Sequence, residues 1–111
     1  MPTVRIEDPG GMNVLGLVLA AALERNIAAR GGPPKLRGAL AVDADGMRAT
    51  VVFSPDGAVV TRAETPAKAV VRAPLDLLVE AIVRPRLLTL LRVKVRGNRL
   101  LALRAMRYLA P

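Results

Sequence analysis

The chain has 111 residues, of which 52% are hydrophobic but only 2% aromatic, and its formal net charge is +8. A chain of this length forms one domain with a real core, and here that core must be aliphatic. The absence of cysteine and histidine excludes disulfide bonds and thiol nucleophiles and removes the commonest general base and metal ligand. An enzyme made from this chain would have to use carboxylates, lysines, arginines or its one tyrosine, and we expect neither a metal nor a cofactor.

The positive charge lies at the C-terminal end of the sequence. Residues 1–80 carry nine basic and nine acidic residues, whereas residues 81–111 carry eight basic residues and no acid. These basic residues are interleaved with leucine and valine, a pattern that suits a partner both anionic and apolar, such as a lipid. Specific nucleic-acid binding is not expected, because one phenylalanine and one tyrosine provide no stacking platforms and no helix-turn-helix or zinc pattern is present.

The first predicted elements are a flexible segment and an apolar helix. Residues 1–12 are rich in proline and glycine, so we place the start of the domain at residue 13. Asn13 is positioned to cap a helix over Val14–Arg30. Its first ten residues are apolar all round, which indicates burial on several sides or contact with a partner, including a second copy of the chain in a homodimer. The apolar run is too short to span a bilayer, and acidic residues precede it where a signal peptide needs positive charge. We therefore expect a cytoplasmic protein.

Four predicted strands follow this helix. Asp45-Gly46 is typical of a two-residue hairpin turn, and residues 54–57 (Ser-Pro-Asp-Gly) are typical of a longer turn. The close spacing of the first three strands predicts an antiparallel meander. The four strands are predicted at Leu36–Ala44, Met47–Phe53, Ala58–Glu64 and Ala67–Arg72.

The last part of the chain is predicted as helix, strand and helix. Pro74 suits the first turn of a helix over Leu75–Val83, and residues 86–91 form a further turn or short helix. Residues 92–96 (RVKVR) alternate strictly, which predicts a fifth strand with one basic face. A turn at Gly97-Asn98 then leads into a closing helix over Arg99–Leu109. The predicted fold class is α+β, a five-stranded sheet with helices packed on one face.

Residues 67–109 resemble the sterol carrier protein type-two lipid-transfer domain. In that family a strand leads into a short apolar helix, a basic strand that ends in Gly-Asn, and a closing apolar helix. The matching pieces here are residues 73–78 (APLDLL), 92–98 (RVKVRGN) and 100–103 (LLAL), and the helix and meander before them match the family's layout. The resemblance implies a sterol carrier protein-like domain over residues 13–111. Such a domain holds a sterol, fatty acid or fatty acyl-CoA in an apolar tunnel between sheet and C-terminal helices, without catalysis.

Two groups of side chains are the candidate site residues. The first group is apolar and is expected to line an aliphatic cleft that binds the ligand: Val51, Phe53, Leu75, Leu78, Ile82, Leu87, Leu88, Leu91, Leu101, Leu103 and Met106. The second group is basic and is expected to contact a lipid headgroup or an anionic membrane surface: Arg92, Lys94, Arg96, Arg99, Arg104 and Arg107. From the residues alone, the first group also fits an ordinary filled core and the second an ordinary solvated surface.

Two other functions stay open at this point. One is an accessory or assembly protein whose first helix and basic face bind a partner protein or a hydrophobic biosynthetic intermediate. The other is a small enzyme that acts on a hydrophobic substrate through Asp76 or Glu80, which lie four residues apart on one helical face. The same carboxylates are also explained by favourable charge at a helix N-terminus and by pairing with Arg84.

Overall fold

The computed structural model describes residues 4–29, 31, 37–55, 57–62, 66–83 and 94–109. The predicted turn or short helix at residues 86–91 lies outside the described residues. Between the first strand and the first helix, Pro9–Gly11 form one 3-10 turn. In chain order the remaining elements are β1 (Val4–Ile6), α1 (Val14–Ala29), β2 (Gly38–Ala44), β3 (Met47–Ser54), β4 (Gly57–Thr61), β5 (Ala69–Arg72), α2 (Leu75–Val83), β6 (Lys94–Gly97) and α3 (Arg99–Leu109).

The described strands form one mixed sheet in the order β1-β4-β3-β2-β5-β6. β2, β3 and β4 are the antiparallel meander that the sequence predicts. β5 pairs in parallel with β2, and β6 pairs antiparallel with β5. The sheet thus has six strands, so the predicted number of five is wrong.

The additional strand is β1, which comes from the segment predicted to be flexible and pairs in parallel with β4. Val4 is buried, Arg5 is exposed and Ile6 is half-buried. An alternation of three residues is too short to give a periodic sequence signal, and the strand owes its place to pairing with a distant part of the chain. The division into a flexible segment 1–12 and a domain 13–111 otherwise stays a prediction.

Local sequence signals determine where the hairpin and the first helix begin. Asp45 and Gly46 have φ angles of 49° and 82°, the positive values that a tight two-residue hairpin requires. The Oδ1 atom of Asn13 accepts a hydrogen bond from the backbone N–H of Gly16 at 2.8 Å, so Asn13 caps α1 as predicted. Its Nδ2 group donates to the carbonyl oxygen of Arg48 at 3.1 Å, which ties the start of α1 to β3.

The core lies between one face of the sheet and a layer of helices. α1 packs on β1, β3 and β4, α3 packs on β2, β5 and β6, and the two helices contact each other. The sheet residues that join this core alternate along the strands; Leu40, Val42 and Val51 are at most 1% exposed. The helices therefore cover one face of the sheet, as predicted. The largest fully buried side chains are Leu15, Leu19, Leu23, Leu40, Val42, Val51, Val60 and Val71.

Among the described residues, no helix combines the length and the apolar character needed to cross a membrane.

Candidate functional site

The turn from β6 into α3 positions both groups of candidate residues. Gly97 has a φ of 85°, and a Cβ atom there would clash with the carbonyl oxygen of Lys68, so the position requires glycine. Asn98 donates its backbone N–H to that same oxygen at 2.8 Å, and its Oδ1 atom accepts the N–H of Leu101 at 3.1 Å. The Gly-Asn pair thus reverses the chain tightly and caps α3, which returns over the sheet.

The described apolar candidates come together in one layer between the sheet and the helices. Val51, Phe53, Leu78 and Leu101 are at most 6% exposed and belong to the continuous core, and Leu75 packs against it while half-buried. Leu87, Leu88 and Leu91 lie outside the described residues, as do the side chains of Ile82, Leu103 and Met106.

α2 has apolar side chains that are only partly covered, as α1 and α3 also have at Val14, Leu17 and Leu100. It contacts α1 and reaches the core through Leu78, which is 5% exposed. Leu75 and Leu77 are half-buried, and Val79 is 37% exposed. Apolar groups therefore continue from the core to the surface along this short helix.

A capping contact from a distant turn holds the start of α2. The Oδ2 atom of Asp45 accepts the backbone N–H of Leu75 at 3.1 Å. Asp45 lies 30 residues earlier in the chain, so no local sequence pattern predicts that it caps α2. The contact links the β2–β3 turn to the helix on which the partly covered apolar side chains stand.

The two carboxylates of the enzyme alternative do not form a buried pair. Asp76 and Glu80 are both exposed on α2, and Asp76 accepts the backbone N–H of Leu77 at 2.9 Å. Acid–base work by paired carboxylates needs burial that distinguishes the two groups. Among the described residues, no three acidic, histidine or cysteine side chains are grouped so as to hold a metal ion.

The basic candidates fall on two different surfaces. Lys94 and Arg96 are exposed on the sheet face opposite the helices, whereas Arg99 and Arg104 are exposed on α3. Arg92 lies outside the described residues, as does the side chain of Arg107. Contact of these residues with a headgroup or membrane stays a prediction.

A row of charged side chains crosses the face of the sheet opposite α1 and α3. The strand registers place Arg48 opposite Asp43, Asp43 beside Arg72, and Arg72 opposite Lys94. Arg48 donates from Nε to Oδ1 of Asp43 at 2.6 Å and from Nη2 to Oδ2 at 2.9 Å, and Nη2 of Arg72 lies 3.7 Å from Oδ2. The sequence places Asp43 near the end of a predicted strand, beside the Asp45-Gly46 turn, and gives it no role in a site. The two-residue hairpin fixes its register against Arg48, and this signal was sufficient to find the pair.

The hydrogen bonds from Arg48 are the main cause that lowers the pKa of Asp43 below its ordinary value of 3.8. The positive charges of Arg48 and Arg72 act in the same direction, and partial burial of the carboxylate opposes them.

Two clefts border this row. The larger, of about 530 Å³, lies where the β2–β3 turn, the end of β5 and the start of α2 meet, with Lys94 on its wall. The smaller, of about 180 Å³, is lined by Arg48, Val70, Arg72, Lys94 and Arg96. Neither cleft is formed by the apolar candidates.

Acid is expected to remove the stabilisation that Asp43 provides. Because its pKa is lowered in the folded state, this contribution is complete above pH 3.8 and is lost as the pH falls through the folded-state pKa. Asp43→Asn should cost about 1 kcal/mol of unfolding free energy near neutral pH, since Arg48 is largely exposed. Urea unfolding of both proteins should show this difference shrinking at about pH 2. A difference that stays constant with pH would contradict the assignment.

Comparisons with known proteins identify the fold that this geometry defines. No protein-family model and no curated protein matches the sequence. Among solved structures, the chain is similar to one described as "UbiJ-SCP2 Ubiquinone synthesis protein", with a TM-score of 0.55 and 20% identity over 88% of this chain and 90% of the other. It is also similar to Sterol Carrier Protein 2 Like 2 from Aedes aegypti, with a TM-score of 0.52 and 15% identity over 83% of this chain and 96% of the other.

The chain therefore has the sterol carrier protein type-two fold. The fold implied by the resemblance of residues 67–109 is confirmed, and so is the predicted α+β class.

Proposed function

We propose that the protein binds an extended apolar molecule, such as a sterol, fatty acid or fatty acyl-CoA, without catalysing a reaction. The observation that carries the proposal is the exposure of α2. Its apolar side chains run from the buried Leu78 through the half-buried Leu75 to the partly exposed Val79. An apolar chain that enters beside this helix would meet the core between the sheet and α3. The fold shared with the two solved structures supports the proposal.

The expected affinity follows from the amount of hydrocarbon that the ligand buries. About ten methylene groups at ~0.8 kcal/mol each supply about 8 kcal/mol before costs. Losses of translational, rotational and side-chain freedom reduce this gain, so we expect micromolar binding. Aliphatic side chains suit such a ligand because they adapt to shape without imposing ring geometry.

The first experiment asks whether the purified protein carries a lipid. Organic extraction followed by mass spectrometry should recover a copurifying apolar molecule, and a fluorescent fatty acid should bind and be displaced by it. A protein that yields no apolar molecule and does not bind the fluorescent fatty acid would contradict the proposal.

A charged residue at the edge of the layer is expected to weaken this binding. Leu75→Arg places a guanidinium where Leu75 is half-buried against the core, and we expect at least about tenfold weaker fatty-acid binding because burying an unpaired charge is costly. Leu100→Arg is the matched control, since it adds the same charge on α3 where Leu100 is 58% exposed. Equal binding by the two variants would place the ligand elsewhere.

A second candidate is an accessory protein that holds a hydrophobic biosynthetic intermediate for a partner. Two observations favour it: one similar structure is described as a ubiquinone synthesis protein, and α1 exposes Val14 and Leu17 by 58% and 46%. Those side chains offer a surface to another protein or to a second copy of the chain. Sedimentation at increasing concentration tests the homodimer, and a single monomeric species throughout would exclude it.

A further inference from the structure

We propose that the smaller cleft, on the sheet face opposite α1 and α3, binds a phosphate-type anion, the phosphate monoester or diphosphate group of a small molecule. This cleft of about 180 Å³ is lined by Arg48, Val70, Arg72, Lys94 and Arg96. It lies on the opposite side of the sheet from the apolar layer, so the proposal stands independently of lipid binding.

Of the residues that line the cleft, four are cations and none is an acid. The adjacent acid is Asp43, which pairs with two of them. Asp43 is held by Arg48 through two hydrogen bonds of 2.6 and 2.9 Å. Arg72 stays 3.7 Å from Asp43, and its side chain is 66% exposed. Within the described part of the chain, Lys94 and Arg96 take part in no ion pair.

The strand pairing brings two of these cations together at a cost. Arg72 on β5 is directly opposite Lys94 on β6, and like charges in directly opposed positions destabilise a sheet. Protection of a sheet edge explains basic residues on the outer strand β6. On the inner strands β3 and β5, Arg48 and Arg72 are explained by their ion pairs with Asp43, but the position of Arg72 opposite Lys94 is not. An anion held between Arg72 and Lys94 would remove their repulsion.

The geometry suits phosphate oxygens. Guanidinium groups bind such oxygens with paired N–H donors, and an ammonium group adds a compact charge. Asp43 acts as a positioning residue, because its two hydrogen bonds fix the guanidinium of Arg48 at the side of the cleft. The volume of about 180 Å³ is below the range of about 300–1,000 Å³ usual for whole drug-sized ligands. The cleft therefore fits the phosphate end of a molecule rather than all of it.

The test is calorimetric titration with sodium pyrophosphate and with inorganic phosphate at low ionic strength, where charge screening is weak. Pyrophosphate should bind the wild-type protein, and the double variant Arg72→Gln/Lys94→Gln should bind it at least about tenfold more weakly. The control Arg5→Gln/Arg25→Gln removes the same two charges at exposed positions on β1 and α1 and should keep its affinity within about twofold.

Thermal unfolding shows whether weaker pyrophosphate binding by the double variant reflects loss of the site or damage to the fold. Without an anion, Arg72→Gln/Lys94→Gln should unfold at about the same temperature as the wild type, because the variant loses both the repulsion across β5 and β6 and the weak ion pair of Arg72 with Asp43. Pyrophosphate should raise the unfolding temperature of the wild type and of the control, but not of this variant.

Three results would overturn the proposal. The first is the absence of heat on titration with millimolar pyrophosphate, and the second is equal weakening in both double variants, which would show general charge attraction. The third concerns vesicles of phosphatidylcholine with and without phosphatidic acid. Binding to the acidic vesicles that depends on Arg72 and Lys94, without binding of pyrophosphate, would assign these residues to a membrane headgroup surface.

Discussion

Replacing Leu23 with alanine is expected to lower the free energy of unfolding by about 3–5 kcal/mol. Leu23 lies on α1 with 0% exposure and belongs to the core between the helix and the sheet. The substitution removes buried methyl groups and leaves a space that the surrounding side chains fill only in part. Since small domains are stable by about 5–15 kcal/mol, the loss is a large share of the total. Urea denaturation at fixed pH measures it as a lower midpoint with an unchanged slope.

Leu17→Ala is the matched control, because the same change is made on the same helix at a position that is 46% exposed. Its cost should stay within about 0.5 kcal/mol, as for other surface substitutions. A cost as large as that of Leu23→Ala would show that Leu17 is covered in solution, and would favour the dimer through α1 over a monomer.

Gly97→Ala is expected to cost about 2 kcal/mol or more of unfolding free energy. The backbone of Gly97 has a φ of 85°, which strains any residue with a Cβ atom. The added methyl group would also meet the carbonyl oxygen of Lys68 and lie 3.1 Å from Cα of Ala69. Relief of this clash must separate β6 from β5 or shift the start of α3. Urea denaturation measures the stability, and the fluorescent fatty acid reports whether the apolar layer is disturbed as well.

Gly46→Ala is the control that separates the cost of backbone strain from the cost of the clash with the Lys68–Ala69 backbone. Gly46 has a similar φ of 82°, but nothing lies within 4 Å of an added Cβ there. It should therefore cost only the backbone strain, about 1 kcal/mol. If Gly97→Ala cost no more than Gly46→Ala, the tight packing of β6 against the Lys68–Ala69 backbone would be refuted.

Turn chemistry made most of the fold predictable from the sequence. Asp45-Gly46, Pro74 and Gly97-Asn98 each determine where the chain reverses or a helix begins, and α2 starts and ends where its sequence pattern predicts. β1 could not be predicted, because it is three residues long and is stabilised by pairing with β4 rather than by its own pattern. The same holds for the cap that Asp45 provides to α2, a contact that only the folded chain creates.

The sequence names candidate residues but not how they are arranged. Val51 and Phe53 lie two residues apart on β3, so they share one face of the sheet, where they join Leu78 and Leu101 in one core. The basic residues near Gly97 are neighbours in sequence and fall on two surfaces, because the chain changes there from a strand to a helix. The face on which Lys94 and Arg96 lie is set by their register with β5, which no local pattern encodes.

α1 and α3 pack on different strands of the sheet. The two groups of elements that result are expected to differ in local stability. α1 packs on β1, β3 and β4, so these elements and their contacts all belong to residues 4–61. α3 packs on β2, β5 and β6, which join distant parts of the chain. Proteins open locally in cooperative units whose free energies differ, and amide hydrogen exchange should therefore be slowest in α1 and its strands. We therefore expect α3 to open before α1, so that substitutions on α3 change the proposed binding of an apolar molecule more than they change the global free energy of unfolding.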